Sequence, residues 1–212
     1  MRQEESVRVA DVLVVKPVTL TGQVARLEPI GQEHAEDLVQ AASDRAIWRY
    51  IALDPTSIES MQAWINSSIA EREAGSVHRF AIIEQASNTA VGSTSLFDIR
   101  PADRGLEIGW TWLGKDLQRT GINSECKFLL LRHCFEDLGA IRVQLKTHRL
   151  NFKSRRAIER IGAPFEGILR NHTIMPDGTY RDSAYYSVIE NEWPAVKRHL
   201  SLILSGSEVP NA

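Results

Sequence analysis

A strand, a loop and a helix follow one another without spacing near the middle of the chain, and this junction constrains the fold most. Gly105–Leu113 (GLEIGWTWL) is extended and apolar in pattern. Residues 114–121 carry no period, and from Asn123 onward Phe128, Leu131, Phe135 and Leu138 recur at helical spacing. A helix start presents unpaired N–H groups and a partial positive charge, which suits a phosphate. Gly121 permits close backbone approach, Arg119 adds a cation, and Asn123 or Ser124 can cap the helix or bond phosphate oxygens. The Gly-Lys-Ser/Thr ending of a nucleotide phosphate loop is missing, and one glycine between positions 115 and 138 excludes the dinucleotide fingerprint. Taken alone, the junction also reads as a tight turn before a capped helix.

Around it the chain alternates strand and helix patterns. Strands are expected at residues 24–28, 79–84, 90–97, Gly105–Leu113, 141–147, 166–174 and Tyr180–Ile189, and helices at 32–43, 57–74, 124–138, 152–161 and 192–204. Asp54-Pro55 breaks the chain and Pro176-Asp177-Gly178 marks a turn. That order predicts an α/β (α+β) fold with a mixed sheet and helices against it. Residues 1–20 read as an N-terminal arm, 21–204 as a single domain and 205–212 as a flexible tail.

Length and charge narrow the partners. A chain of 212 residues, 43% hydrophobic, suits one large domain. The 25 basic and 27 acidic residues nearly cancel, so the footprint of a nucleic-acid binder is absent. The N-terminal stretch is interrupted by charge, so neither a signal peptide nor a membrane span is expected. Cys126 and Cys134 lie roughly 12 Å apart along one helix, too far for a disulfide. Reduced cysteines of this kind fit the cytoplasm.

Gln118-Arg119-Thr120-Gly121-Ile122-Asn123 resembles the Q/R-x-x-G-x-G/A pyrophosphate loop of the GNAT acetyltransferases, placed directly after a strand of the right kind. The resemblance continues through Asn151-Phe-Lys-Ser154, Ala157-Ile-Glu-Arg-Ile-Gly162 and Glu166-Gly-Ile-Leu-Arg170, and is similar to the RimJ/RimL-like branch that acetylates ribosomal-protein N-termini. It covers about residues 24–189 in order, with Asn123 departing from the family's Gly or Ala.

The resemblance implies a mostly antiparallel sheet of about seven strands with helices on both faces. It implies a splay between the fourth strand (Gly105–Leu113) and the fifth (141–147). Acetyl-CoA would lie there, with backbone groups of Thr111, Trp112 and Leu113 on the pantetheine arm. The amides of Gln118, Arg119, Thr120, Gly121, Ile122, Asn123 and Ser124 would bind the pyrophosphate, and Asn151 the pantetheine. The implied reaction is direct attack of an amine on the thioester, without an acyl-enzyme or a metal.

The family's tyrosine donor position is Ile158 here. Ser154 matches a serine near the CoA sulfur, or caps the helix that begins beside it. Strict alternation groups Glu107, Gly109, Thr111 and Leu113 on one side and Ile108, Trp110 and Trp112 on the other. Glu107 is then a general base or amine anchor, or a sheet charge paired with an arginine. His148 reads as a solvated strand-end histidine or a cleft group. By family analogy Trp48, Tyr50, Arg170 and His172 hold the acceptor, with Trp64 and Tyr180 nearby. The acceptor is a peptide N-terminus or a small amine; a non-catalytic acyl-CoA-binding module is the remaining alternative. A homodimer would cover an exposed strand edge, with the apolar leader as a second candidate cover.

Overall fold

Long strands apolar on both faces settle in the middle of a sheet, and three such strands organise this protein. The computed structural model describes residues 12–51, 55–175 and 177–206, so the expected chain break at Asp54, the turn at Pro176, and the parts of the arm and tail in the first eleven and last six residues lie outside it. In chain order the strands are β1 (Leu20–Thr21), β2 (Ala25–Pro29), β3 (His78–Glu84), β4 (Thr89–Arg100), β5 (Gly105–Leu113), β6 (Arg142–His148), β7 (Phe165–Ile174) and β8 (Tyr180–Ile189). They form one sheet in the order β1-β2-β3-β4-β5-β6-β8-β7. The sheet has eight strands because Leu20 and Thr21 pair with Leu27 and Arg26. That pairing draws the end of the expected arm into the domain. Leu13, 2% exposed, is buried in the same core and its amide bonds Pro101. The described part of the leader therefore covers both its own core, through Leu13, and the edge of β2, through Leu20 and Thr21.

Helices α1 (Ala35–Ala41) and α2 (Ile58–Glu73) cover one face, where Leu38, Met61 and Ile65 meet Ala81 and Ile83. On the other face α3 (Ile122–Arg132), α4 (Phe152–Arg160) and α5 (Trp193–Leu204) bury Leu129, Leu130, Ile158 and Leu200 against Phe80, Ile82 and Val143. Among the described residues no helix is long and apolar enough to cross a membrane. Cys126 and Cys134 are free and buried, and burial pushes the Cys126 thiol up to about 12, so both are unreactive packing groups.

Two features open the centre of the sheet. The only parallel pair among the described strands, β5–β6, is joined at Gly105–Arg142, Leu106–Val143 and Glu107–Gln144, and beyond Glu107 the strands part. In β5 the register with β4 slips from Ser95–Gly109 to Ser93–Trp112, a bulge with Trp110 at φ 53°. The extra residue overturns the alternation expected for this strand. Thr111 and Leu113 now face α3 with Leu106 and Ile108, while Trp112 joins the α1–α2 core.

Beneath the bulge, Lys127 of α3 donates to Thr111 Oγ1 (2.6 Å) and Thr94 Oγ1 (3.3 Å), and no described carboxylate pairs with it. Burial drags its pKa down to about 8 from an ordinary 10.5. The unfolded chain therefore binds this proton more tightly between those pH values, and stability from this site rises with pH across that window. Below pH 8 the buried charge is fully present and costly. Lys127→Met is expected to stabilise the protein at pH 7 by about 1–3 kcal/mol in urea denaturation, with the gain shrinking between pH 8 and 10.5. A less stable Met variant at pH 7 would show that the ammonium is a net stabiliser.

Candidate active site

The loop after β5 forms a single 3₁₀ turn, Lys115–Leu117, and then swings through two left-handed residues, Arg119 (φ 70°) and Gly121 (φ 91°). That swing starts α3 at Ile122 with Gly121 as N-cap, so Asn123 and Ser124 are interior positions of the first turn, not caps. The Ser124 hydroxyl is buried and accepts from Arg160 Nη2 at 2.7 Å, which removes it as a free phosphate ligand. Gln118 also differs from expectation. Its amide donates to Lys115 O, its side-chain NH₂ donates to Leu113 O (3.0 Å), and its side-chain oxygen meets the Lys153 ammonium. It ties the loop to β5 and α4.

What remains is an uninterrupted arc of donors. The amides of residues 119–124 reach no carbonyl or side-chain acceptor among the described residues. They sit at a helix N-terminus with the Arg119 side chain exposed beside them, an arrangement that receives an anion. The helix start is held in place from within. The Glu125 carboxylate accepts from the amides of Gln23 (2.7 Å), Val24 (2.8 Å) and Ala25 (2.7 Å), and a Cβ at Gly22 would overlap it.

The arc opens onto the gap between β5 and β6. Thr111, Trp112 and Leu113 lie past the last β5–β6 pair, so the β5 edge that would continue the ladder faces the gap. Across it stands α4, whose N-cap is Asn151, with Oδ1 accepting the Ser154 amide at 3.1 Å. Ser154 is therefore capped rather than capping, and its hydroxyl has no partner among the described residues. Ile158, at the family's tyrosine position, is buried in the core.

At the closed end of the gap, in the last β5–β6 pair, lies Glu107, 1% exposed, with Oε2 accepting from Gln144 Nε2 (3.0 Å) and Lys146 Nζ (3.1 Å). The pairing cation is Lys146, where the sequence suggested an arginine. Burial lifts the Glu107 pKa above the ordinary carboxylate value even though Lys146 and Gln144 pull it down. Lys146 lies over the rings of Phe97 (5.4 Å) and Tyr185 (5.8 Å). Trp110, 43% exposed, lies edge-on to Phe97 and under the Arg79 guanidinium (4.6 Å), which also contacts Trp64.

The expected acceptor residues separate. Trp48 is 7% exposed, packed on Trp112 with its indole N–H donated to Ala42 O, so it is core and offers no wall. Tyr50 does face the open side, 5.1 Å from the ring of His148. His148 Nδ1 accepts the Leu150 amide (3.0 Å), leaving its proton on Nε2 when neutral, and burial with Arg181 and Arg149 holds its pKa down. It is a half-buried group of this face rather than a solvated strand end. His172 sits between Ser183 Oγ (3.1 Å) and Tyr185 Oη (3.2 Å). Arg170 and Tyr180 are exposed on the β7–β8 hairpin. Lys146, Phe97, Tyr185, Arg79 and Arg181 escaped the sequence reading. The polar alternation Arg142, Gln144, Lys146, His148 was the available signal for the first of them.

The sequence profile of the acetyltransferase (GNAT) domain matches residues 25–164. The chain is 28% identical over 179 residues to the "Putative ribosomal N-acetyltransferase YdaF" of Bacillus subtilis (strain 168), covering 81% of this chain and 92% of that one. Among solved structures it resembles a GCN5-related N-acetyltransferase from Brucella melitensis, with 31% identity, TM-score 0.82, and coverage of 88% of this chain and 85% of the other. It shares the fold of Mycobacterium smegmatis RimJ in complex with CoA-disulfide, with 21% identity, TM-score 0.76, and coverage of 90% and 95%.

Proposed function

The chain belongs to the GNAT acetyltransferase family and is an acetyl-CoA-dependent N-acetyltransferase, and we propose a role for each part of its split sheet. The amides of residues 119–124, with Arg119, hold the pyrophosphate of acetyl-CoA. The free β5 edge at Thr111, Trp112 and Leu113, with Asn151, orients the pantetheine. The observation that carries this reading is the arc of unpartnered amides at the start of α3, opening onto the gap where β5 and β6 part.

An amine entering from the α1–α2 side attacks the thioester carbonyl and displaces the CoA thiol. Glu107, buried and with a raised pKa, takes the amine's proton through a bridging water. The Ser154 hydroxyl donates toward the departing sulfur, the task a tyrosine at position 158 would otherwise perform. The acceptor we favour is the N-terminal amine of a polypeptide. Two features support it: the broad open face bounded by Trp110, Tyr50 and the β7–β8 hairpin, and the kinship with the Bacillus protein named above.

Thiol release from acetyl-CoA, followed over a panel of N-terminal peptides and small amines, tests the reading. A peptide among the best acceptors is the expected result; turnover of small amines alone would overturn the polypeptide assignment. In the same assay Ser154→Ala is expected to lower kcat roughly ten- to a hundredfold, the worth of one hydrogen bond to a charged group, while the affinity for acetyl-CoA holds. Unchanged kcat would leave Ser154 without a part in the reaction.

A further inference from the structure

The open face of the sheet carries several buried or half-buried cations, and all but one of them is matched. Arg79 pairs with Glu71 (2.8 Å), Lys146 with Glu107 (3.1 Å) and Arg100 with Asp98. Arg181 of β8 is the exception. Its Nε donates to Ser183 Oγ at 3.2 Å, and among the described residues no carboxylate lies within ion-pair distance of its terminal nitrogens. Ser183 and Tyr185 share its side of the strand, and they pair across to His148 and Lys146 of β6. The guanidinium therefore folds back toward the acceptor side, near enough to feel the Glu107 carboxylate.

An arginine does not escape this setting by losing its proton. Burial pulls its pKa down, yet the group stays charged at any working pH, and a half-buried cation without an anion is costly until one arrives. The surroundings suit an anion. His148 and His172 are both pushed toward the neutral form, partly by Arg181 itself, so neither adds competing charge, and His148 keeps its Nε2–H free to donate while both His172 nitrogens are engaged by Ser183 and Tyr185. The planar fork of a guanidinium matches a carboxylate with two parallel hydrogen bonds. A dianion fits poorly, because Glu107 and Asp182 lie on or beside the same face, and among the described residues Arg181 is the half-buried cation there that has no carboxylate partner.

We infer that Arg181 anchors a carboxylate of the acceptor, so that the enzyme selects amines carrying a carboxylate a short distance from the reacting nitrogen. The inference rests on the acetyl-transfer reading for which side the acceptor enters. The carboxylate has two sources: an acidic residue next to a peptide N-terminus, or the α-carboxylate of a free amino acid.

Calorimetric titration of the full chain, with and without saturating CoA, separates them. The probes are two pairs: Ala-Glu-Ala-amide against Ala-Gln-Ala-amide, and alanine against alaninamide. The wild type is expected to prefer the carboxylate member of one pair at least tenfold, and that pair identifies the source. Arg181→Gln should bind both members at the weaker level, and Arg181→Lys should recover part of the preference. Equal binding within both pairs, absence of binding by all four, or a preference that survives in Arg181→Gln overturns the assignment. Acetylation is read separately on the same compounds. A carboxylate preference with no acetylation of any of them would sink the acetyl-transfer reading while leaving the Arg181 site standing.

Discussion

Gly121→Glu is expected to weaken acetyl-CoA binding at least a hundredfold. Three effects add at this position. Gly121 caps α3 at φ 91°, where an L side chain costs about 1–2 kcal/mol. A carboxylate there sits at the positive end of the helix dipole and competes for the amides that would bind the pyrophosphate. It also repels the phosphates directly. Packing alone does not forbid the change, because a Cβ at Gly121 meets nothing within 4 Å. Gly121→Ala therefore serves as the control: it carries the same backbone strain without the charge, and a loss of about tenfold or less is expected. If Gly121→Glu binds acetyl-CoA within threefold of the wild type while remaining folded, the cofactor's phosphates lie elsewhere.

Glu107→Gln is expected to lower kcat by roughly 10²- to 10³-fold, the usual worth of a positioned general base, with acetyl-CoA affinity unchanged. The pH dependence separates catalysis from packing. The Glu107 pKa is raised by burial, so the carboxylate becomes available only as pH climbs past the ordinary carboxylate range, and turnover rises with it. That acidic limb should disappear in the Gln variant. Glutamine keeps the shape but leaves the Lys146 ammonium without its charge partner, so Lys146→Met is measured alongside. A Gln variant that retains both the limb and most of its kcat would reduce Glu107 to the partner of Lys146.

Much of this site is written in local chemistry, and that part is legible in the sequence. A long apolar strand, a loop closed by Gly121 and an amphipathic helix specify one another at close range, so the junction and the family motif emerge together. The split between β5 and β6 follows from the family resemblance rather than from any periodicity. The misses come from tertiary decisions. Trp110 is not a residue that announces a left-handed conformation, yet the bulge there reverses which side of the strand Thr111 and Leu113 occupy. Asn123 and Ser124 are good caps by type, but the left-handed Gly121 starts the helix before them. Trp48 looks like an exposed aromatic next to Arg49 and Tyr50, and only the packing of Trp112 across the bulge makes it core. The pairing of Glu107 with Lys146, and the isolation of Arg181, depend on strands distant in the chain lying side by side.

The most direct test of the account is calorimetric titration of the purified protein with acetyl-CoA and, separately, with ATP and NAD. Saturable acetyl-CoA binding with a micromolar dissociation constant is expected, with no comparable response to the other two. Binding of ATP or NAD in place of acetyl-CoA, or no binding at all, would contradict the assignment of residues 119–124 as the pyrophosphate site.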